Sequence, residues 1–594
     1  MVVGGGLAGL SAALTILDRG GVVVLLEKEG YVGGNSQWAS SGINGVDRVN
    51  YPENPDTVET YAEDCYKHSR GDNGNGNALA PESVEHVPAL TRGSVETLEW
   101  FRARVGVDLS KVGRLGGHSH ARTHRPASGM AGSTLVSGVQ KKCDEYRSSG
   151  AFTVMKRHRA TEITTDARTG AVDGVRWVAP LDGVVGANET AGWTRARNVI
   201  LATGGYAGDR EGLLREHAPF ATRFATTNTP GSVGDGHKMA MKLGASAIDL
   251  QNVQIHPTGF VDASDVDAGT KTLAAEILRG AGGVLLTRGG VRFVDELGGR
   301  DYVTNTMIAE AEAEEAAGGL AANGGGVALN FVILLDAVAA AEADKHVPMY
   351  VKKNLLARRD TMEDVANWMD ATLRARDVKR RPAHDDAAAS GEPCPLTNKT
   401  AFRASGRFDL RGPFYAGRVT PVVHYTMGGI RVDDAMRVVR ARDDGGVEPV
   451  DGLFAVGEMT GGTHGRNRLG GNALTECAVF GRAAGRAAMI VRDGETTTTT
   501  TTAAAAAADA TAATRGGKEG FTLQITRDEL AKHASSDDCW VAIGGDVYDF
   551  TDFLDDHPAG AEAILKLGGT DGTEAFDAVH GRDMLEAFEA VGVL

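Results

Sequence analysis

Two acids and three arginines stand close together in this 594-residue chain: Glu276 and Arg279 in Glu276-Ile277-Leu278-Arg279, then Arg292-Phe293, Glu296 and Arg300. Apolar residues separate them over about one helix and one strand. Glu276 and Arg279 lie three apart and so share a helix face. Acids and arginines interleaved with apolar residues suit a proton route into a dry pocket. On a surface helix the same pair would be no more than an i,i+3 salt bridge. A second pair, His557 and His580, is 23 residues apart in Phe553-Leu554-Asp555-Asp556-His557-Pro558-Ala559-Gly560 and Phe576-Asp577-Ala578-Val579-His580. Two histidines on opposite faces of one haem would give six-coordinate, low-spin iron suited to electron transfer. Zinc is the rival for this pair, but no further ligands stand at suitable spacing.

The elements that must position these groups begin at the first residues. Gly4-Gly5-Gly6-Leu7-Ala8-Gly9 is a G-x-G-x-x-G run between the strand Met1-Val2-Val3 and a helix over Leu7 to Leu17. Gly4 permits the tight turn, Gly6 lets backbone approach a pyrophosphate, and Gly9 permits helix–strand contact. The helix N-terminus then faces the phosphates. Glu27, after the buried strand Val22 to Leu26, stands where an acid meets ribose hydroxyls. Strand, helix, acid and spacing agree on a dinucleotide site. Three further loops favour FAD over NAD. Gly33-Gly34-Asn35-Ser36 with Ser40-Ser41-Gly42-Ile43-Asn44 suits an isoalloxazine edge. Ala202-Thr203-Gly204-Gly205 ends a strand at Val199 to Leu201. Gly457-Glu458 ends the strand Gly452 to Gly457, and Arg468-Leu469-Gly470-Gly471-Asn472-Ala473-Leu474 opens a helix. That helix N-terminus can stabilise negative charge on a reduced flavin. Met1-Val2-Val3 is too short to anchor a sheet centre, so residues upstream of Met1, with any targeting signal, are expected.

With these loops in order, Val2 to about Arg492 resembles the soluble fumarate reductase family, flavoprotein relatives of succinate dehydrogenase. It is most similar to the yeast-type members, in Gly33 to Ser36 and in Leu273-Ala274-Ala275-Glu276. The resemblance implies an α/β FAD-binding Rossmann-like domain with an inserted α+β capping domain. It places Gly4, Gly6, Ala8, Gly9, Glu27, Lys28, Asn35, Ser36, Ser41, Gly42, Gly205, Asp235, Glu458, Ala473 and Leu474 at FAD. Membrane-bound relatives attach FAD through a histidine in the flavin loop; Asn35-Ser36 at that place implies non-covalent FAD. His256 (Gln254-Ile255-His256-Pro257-Thr258), His424 (His424-Tyr425-Thr426-Met427-Gly428-Gly429), Arg468 and Gly42 match substrate-binding positions for fumarate or succinate. Arg300 matches the proton donor, and Glu276 and Arg279 the relay that reprotonates it. Arginine is a poor acid by its reference pKa of roughly 12.5 or more, and needs a dry, cation-rich site to serve as one. Some members have a threonine at Ala275; its hydroxyl is absent here, so one substrate contact must be made otherwise.

From about Ile525 to Leu594 the chain resembles cytochrome b5: Trp540-Val541, Val547-Tyr548-Asp549, His557-Pro558 and His580 fall in order. This implies a small α+β haem domain binding haem b through His557 and His580, although the family commonly has glycine where Ala559 stands. Cys539 to Phe550 reads as a hairpin and Ala561 to Leu567 as a helix stopped by Gly568-Gly569. The implied donor is an NADH-dependent cytochrome b5 reductase, or free reduced flavin acting directly on FAD. Reduction of another unsaturated carboxylate, succinate oxidation, and a flavin–haem electron carrier are the alternatives.

The net charge of −16 is uneven: residues 521–594 hold 4 Lys+Arg against 16 Asp+Glu, a net of −12. An acidic module argues for a basic protein partner and against nucleic acid. Five scattered cysteines without CxxC spacing argue against a disulfide framework, a structural zinc site and c-type haem, and point to a reducing compartment, cytoplasmic or organellar. No run of 18 apolar residues exists, so no membrane span is expected. Thr496 to Thr502 and Ala503 to Ala508 are low-complexity runs that read as a flexible tether. The expected domains are residues 1–250 with 425–492 for FAD, 251–424 as the cap, 493–520 as linker and 521–594 for haem. Helices are expected over Val303 to Ala317 and Thr361 to Arg374, and a polar surface loop over Arg374 to Asn398.

Overall fold

The computed structural model describes residues 1–71, 79–180, 189–316, 330–343, 345–373, 408–489, 525–554, 557, 560–580, 582–588 and 590–594. The expected tether, the polar loop from Arg374, and Pro558-Ala559 lie outside these residues.

The largest sheet runs in the order Arg437–Ala441, Val447–Ala455, Val199–Leu201, Val2–Val3, Val23–Leu26, Phe152–Met155. Only the first pairing is antiparallel; the rest are parallel. Strands buried on both faces of a parallel sheet need continuous aliphatic runs, which Val2-Val3, Val23 to Leu26 and Val199 to Leu201 supply. Short as it is, Val2–Val3 lies at the sheet centre, paired to Ile200 and Leu201 on one side and Leu25 and Leu26 on the other. Neighbours on both edges give it backbone partners its length alone would not. Val22 is 51% exposed and stands outside the strand expected to include it. Helices Leu7–Leu17 and Asn472–Ala487 pack together beneath the sheet.

A second sheet is built on the 13-residue strand Phe414–Thr426, which pairs Ala225–Thr226, Val253–Phe260, Phe331–Leu335 and Ala357–Arg359, with Val284–Leu286 beyond. Helix Arg300–Ala316 packs on strand Val253–Phe260. The helix expected over Thr361 to Arg374 spans Met362–Leu373.

The C-terminal part has a four-stranded sheet, Ala534–Ser535, Asp538–Ile543, Asp546–Asp549 and Ala590–Val593. Its hairpin turns through Gly544 and Gly545 at φ of 68° and 95°. Short helices Glu562–Leu565 and Thr573–Asp577 follow. Among the described residues no helix is long and apolar enough to cross a membrane.

Candidate functional site

An open cleft lies at the carboxyl ends of the central strands. Gly4, Gly6, Ala8 and Glu27 line it, with Lys28, Asn35, Ser36, Asp235 and Glu458. Glu27 accepts from the Gly5 N–H at 2.7 Å, holding the turn against the second strand. Gly9 works from behind: a Cβ there would lie 2.0 Å from the Gly4 carbonyl oxygen, so only glycine lets the helix come this close. Ser36 Oγ accepts from the Leu7 N–H at 3.3 Å, and Lys28 pairs with Asp235 at 2.8 Å. Asn35 donates to Asn228 (2.6 Å) and Ser232 (2.9 Å). The other expected FAD residues are not on this wall. Ser41 and Gly42 sit in the loop beside His124 and Thr123, and Ala473 and Leu474 form the first turn of helix Asn472–Ala487. Gly205 abuts the Glu458 carboxylate, where a Cβ would lie 2.3 Å from Oε1. Thr229, Ser232 and His158 also line the cleft; no sequence motif marks them, since they approach only through folding.

Beyond Glu458 lies a buried cluster. His256 on strand Val253–Phe260 pairs with Val422 of the adjacent antiparallel strand, which puts His424 on a neighbouring position of the same sheet. Register shifts on both sides of His256 re-aim it. The two ring centroids are 5.1 Å apart. His256 Nδ1 is 3.2 Å from the Thr258 backbone N and O, and Nε2 has no partner among the described residues. His424 Nδ1 meets the Thr227 hydroxyl at 2.8 Å. Burial, then the Arg300 guanidinium, push both imidazoles well below the ordinary histidine pKa, so both are neutral. The Arg468 guanidinium lies 4.3 Å over the Tyr425 ring, and its buried Nε has no partner among the described residues. Burial and the nearby Arg300 pull its pKa down to about 9.

Arg300, first residue of helix Arg300–Ala316, donates to Glu276 Oε2 from Nε (3.1 Å) and Nη2 (2.7 Å), and to Gln254 Oε1 from Nη1 (2.7 Å). Glu276 also accepts from the Gly116 N–H at 3.0 Å. Burial raises the Glu276 pKa, but Arg300 and Arg279 outweigh it and hold the carboxyl at about 2. Glu276 and Arg279 belong to one helical turn, with Glu276 in helical backbone conformation and its carbonyl accepting from the Arg279 N–H at 3.0 Å. The helix is one turn, Ile277–Gly280, with Glu276 as its N-cap. A single turn lets the side chains diverge: Glu276 goes to Arg300, while Arg279 donates to the Glu296 carbonyl at 2.5 Å. Arg279 Nε and Nη2 are buried with no hydrogen-bond partner among the described residues. Arg292 and Glu296 form their own buried pair at 2.7 Å. Gln254 was missed as a site residue although it is two residues before His256, on the same strand face. It also donates to the Arg468 carbonyl at 2.8 Å, tying the two arginines together.

In the C-terminal part, the His557 and His580 rings are 5.8 Å apart at 77°. His557 Nδ1 is 3.2 Å from the Gly560 carbonyl, an arrangement that orients a metal-binding imidazole and leaves Nε2 for the metal. Burial, then the Lys353 ammonium, push both pKa values down to about 4, so both rings are neutral donors. Separation, protonation and backbone anchor all fit a haem held between the two.

Residues 1–474 match the FAD binding domain family, and 526–594 the cytochrome b5-like heme/steroid binding domain family. "Fumarate reductase" of Schizosaccharomyces pombe is 38% identical over 498 residues, covering 82% of this chain and 88% of the relative. The chain belongs to the family of FAD-dependent fumarate reductases. "Fumarate reductase 1" of Saccharomyces cerevisiae is 30% identical, covering 82% of this chain and 97% of its own length. Among solved structures, the open conformation of a flavocytochrome c3 fumarate reductase aligns at a TM-score of 0.61 and 28% identity, covering 82% and 77% of the two chains. As a member of this family the chain is an FAD-dependent oxidoreductase, with haem as the cofactor of its second matched domain.

Proposed function

We propose that the chain reduces fumarate to succinate, taking electrons through the haem module to FAD. Non-covalent FAD, when bound and reduced, supplies the hydride. Every other task falls to side chains. His256 Nε2, His424 and Arg468 hold the two carboxylates of fumarate, and their donors stabilise the charge that develops on the second alkene carbon and the carboxylate it bears. Neutral histidines donate to a carboxylate without adding a third and fourth cation to an already cationic site. Arg300 gives its proton to the second alkene carbon. Three of its five N–H hydrogens are engaged by Glu276 and Gln254, so it is aimed while two remain for substrate. Glu276, held ionised, and Arg279 return a proton to Arg300 from solvent. Since Ala275 offers no hydroxyl, that one carboxylate contact falls to the arginines and histidines.

The observation that supports this reading most is Arg300, fixed on two sides by buried partners beside two neutral histidines and Arg468. The test is fumarate consumption by the FAD-loaded chain with a chemically reduced dye, for wild type and Arg300→Lys. Rapid succinate formation by wild type and near-abolished turnover in a flavin-bound Arg300→Lys are expected; equal rates would remove Arg300 from the mechanism. The haem route draws on an external one-electron donor such as a cytochrome b5 reductase. Reduction of FAD by that donor should need His557 and His580, whereas reduction by free reduced flavin should not.

A further inference from the structure

The apolar cluster of the haem module takes in a residue from the flavin loop. Tyr31, 1% exposed, packs edge-on against Phe553 at 5.0 Å and lies 5.8 Å from Phe588. Trp38 stacks on Phe553 at 5.6 Å, with 17° between the planes. Arg157 pairs with Asp549 at 3.4 Å. From the cap, at the end of helix His346–Lys352, Lys352 Nζ donates to the Ala578 carbonyl at 2.7 Å, two residues before His580. The next residue, Lys353, is half-buried and makes no ion pair with a described residue. Burial alone pulls its pKa down to about 8. Lys352 thus stands against the turn that carries His580, and Lys353 follows it at the same helix end. A partly desolvated ammonium without a counterion is unfavourable, and the group expected between these histidines has two carboxylates of its own.

We propose that the flavoprotein part completes the haem site: Tyr31 and Trp38 seat the module against the flavin loop, and Lys352 and Lys353 meet the two haem propionates. Contact then runs from His557 to Phe553 at 5.8 Å and from Phe553 to Trp38 at 5.6 Å, two residues beyond Ser36 on the flavin cleft wall. The two cofactor sites stand side by side, and the module need not swing to reach FAD. This rests on His557 and His580 as haem ligands; a low-spin haem spectrum of the wild-type chain tests that point separately.

The full chain, loaded with FAD and haem, is compared with K352E/K353E and with K352R/K353R. One measurement is the rate of haem transfer to excess apomyoglobin; the other is the haem midpoint potential. Charge reversal is expected to speed haem loss on the order of tenfold, as for losing hydrogen bonds to charged groups. It should also lower the potential, because nearby cations favour the added electron. The arginine variant keeps the charge and should stay near wild type on both. Unchanged haem loss and potential in K352E/K353E, with its low-spin spectrum intact, would overturn the proposal.

Discussion

The buried charge cluster and the His557–His580 pair are built in opposite ways. Arg300 is held by Glu276, 24 residues away, and by Gln254, 46 away, while Gln254 reaches the Arg468 carbonyl across 214. The two histidines beside them stand on different strands of one sheet. In the haem module the supports are local: His557 leans on Gly560, and His580 lies 5.0 Å from Phe576, four residues before it. The first site is therefore a property of the whole flavoprotein fold and tolerates little change. The second is a local unit whose position depends on a few contacts across a boundary.

That contrast orders the expected effects. Arg300→Lys should be the most damaging, because the three N–H donors of lysine cannot keep the two-point hold on Glu276 and the bond to Gln254 and still present a donor to substrate. Fumarate turnover should fall by about 10³-fold or more, with the flavin absorbance retained. Glu276→Gln leaves a buried guanidinium without its counter-charge and should cost about 3–5 kcal/mol in denaturant unfolding. Arg411→Ala, which removes an exposed guanidinium from its pair with Asp409, should leave stability close to wild type by the same measurement. Similar losses for the two would erase the claim that burial sets the value of these pairs.

Glu458 sharpens the comparison through pH. Burial, opposed by the Thr426 N–H and by Arg468, raises its pKa from 4.5 to about 7. Between those values the unfolded state has lost a proton that the folded state keeps. Its contribution to stability is complete below pH 4.5 and is lost as pH rises through 7, about 3 kcal/mol in all. In flavin-free protein, Glu458→Gln should flatten the stability profile over that window; an unchanged slope would exclude Glu458 as its source. The smallest effect is expected from His557→Ala on dye-driven fumarate reduction. The low-spin haem band should vanish while that rate changes less than about twofold, since none of the flavoprotein cluster's supports comes from the module.

Contiguous motifs made much of the fold and site legible. The Gly4 to Gly9 turn, the Glu27 position and the hairpin through Gly544-Gly545 are local signals, and each sits in the element its neighbours implied. The three-residue spacing of Glu276 and Arg279 cannot distinguish one turn from several, and the structure gives one. Thr227 against His424, and Tyr425 beneath Arg468, had no signal in sequence. The first is a pairing across 197 residues, and the second is an orientation that depends on how two strands and a loop meet.

By itself the sequence determined the chemistry available: a nucleotide turn, two sets of histidines, and an acid–arginine run, each written as residue types at short spacing. Only the tertiary structure decided that Arg300 faces Glu276 and Gln254 in a dry cluster, and that Tyr31, Trp38 and Lys352 contact the haem module. Local propensity acts over a few residues. The burial that makes a histidine neutral or an ammonium seek a counterion is set by chain brought back from far away.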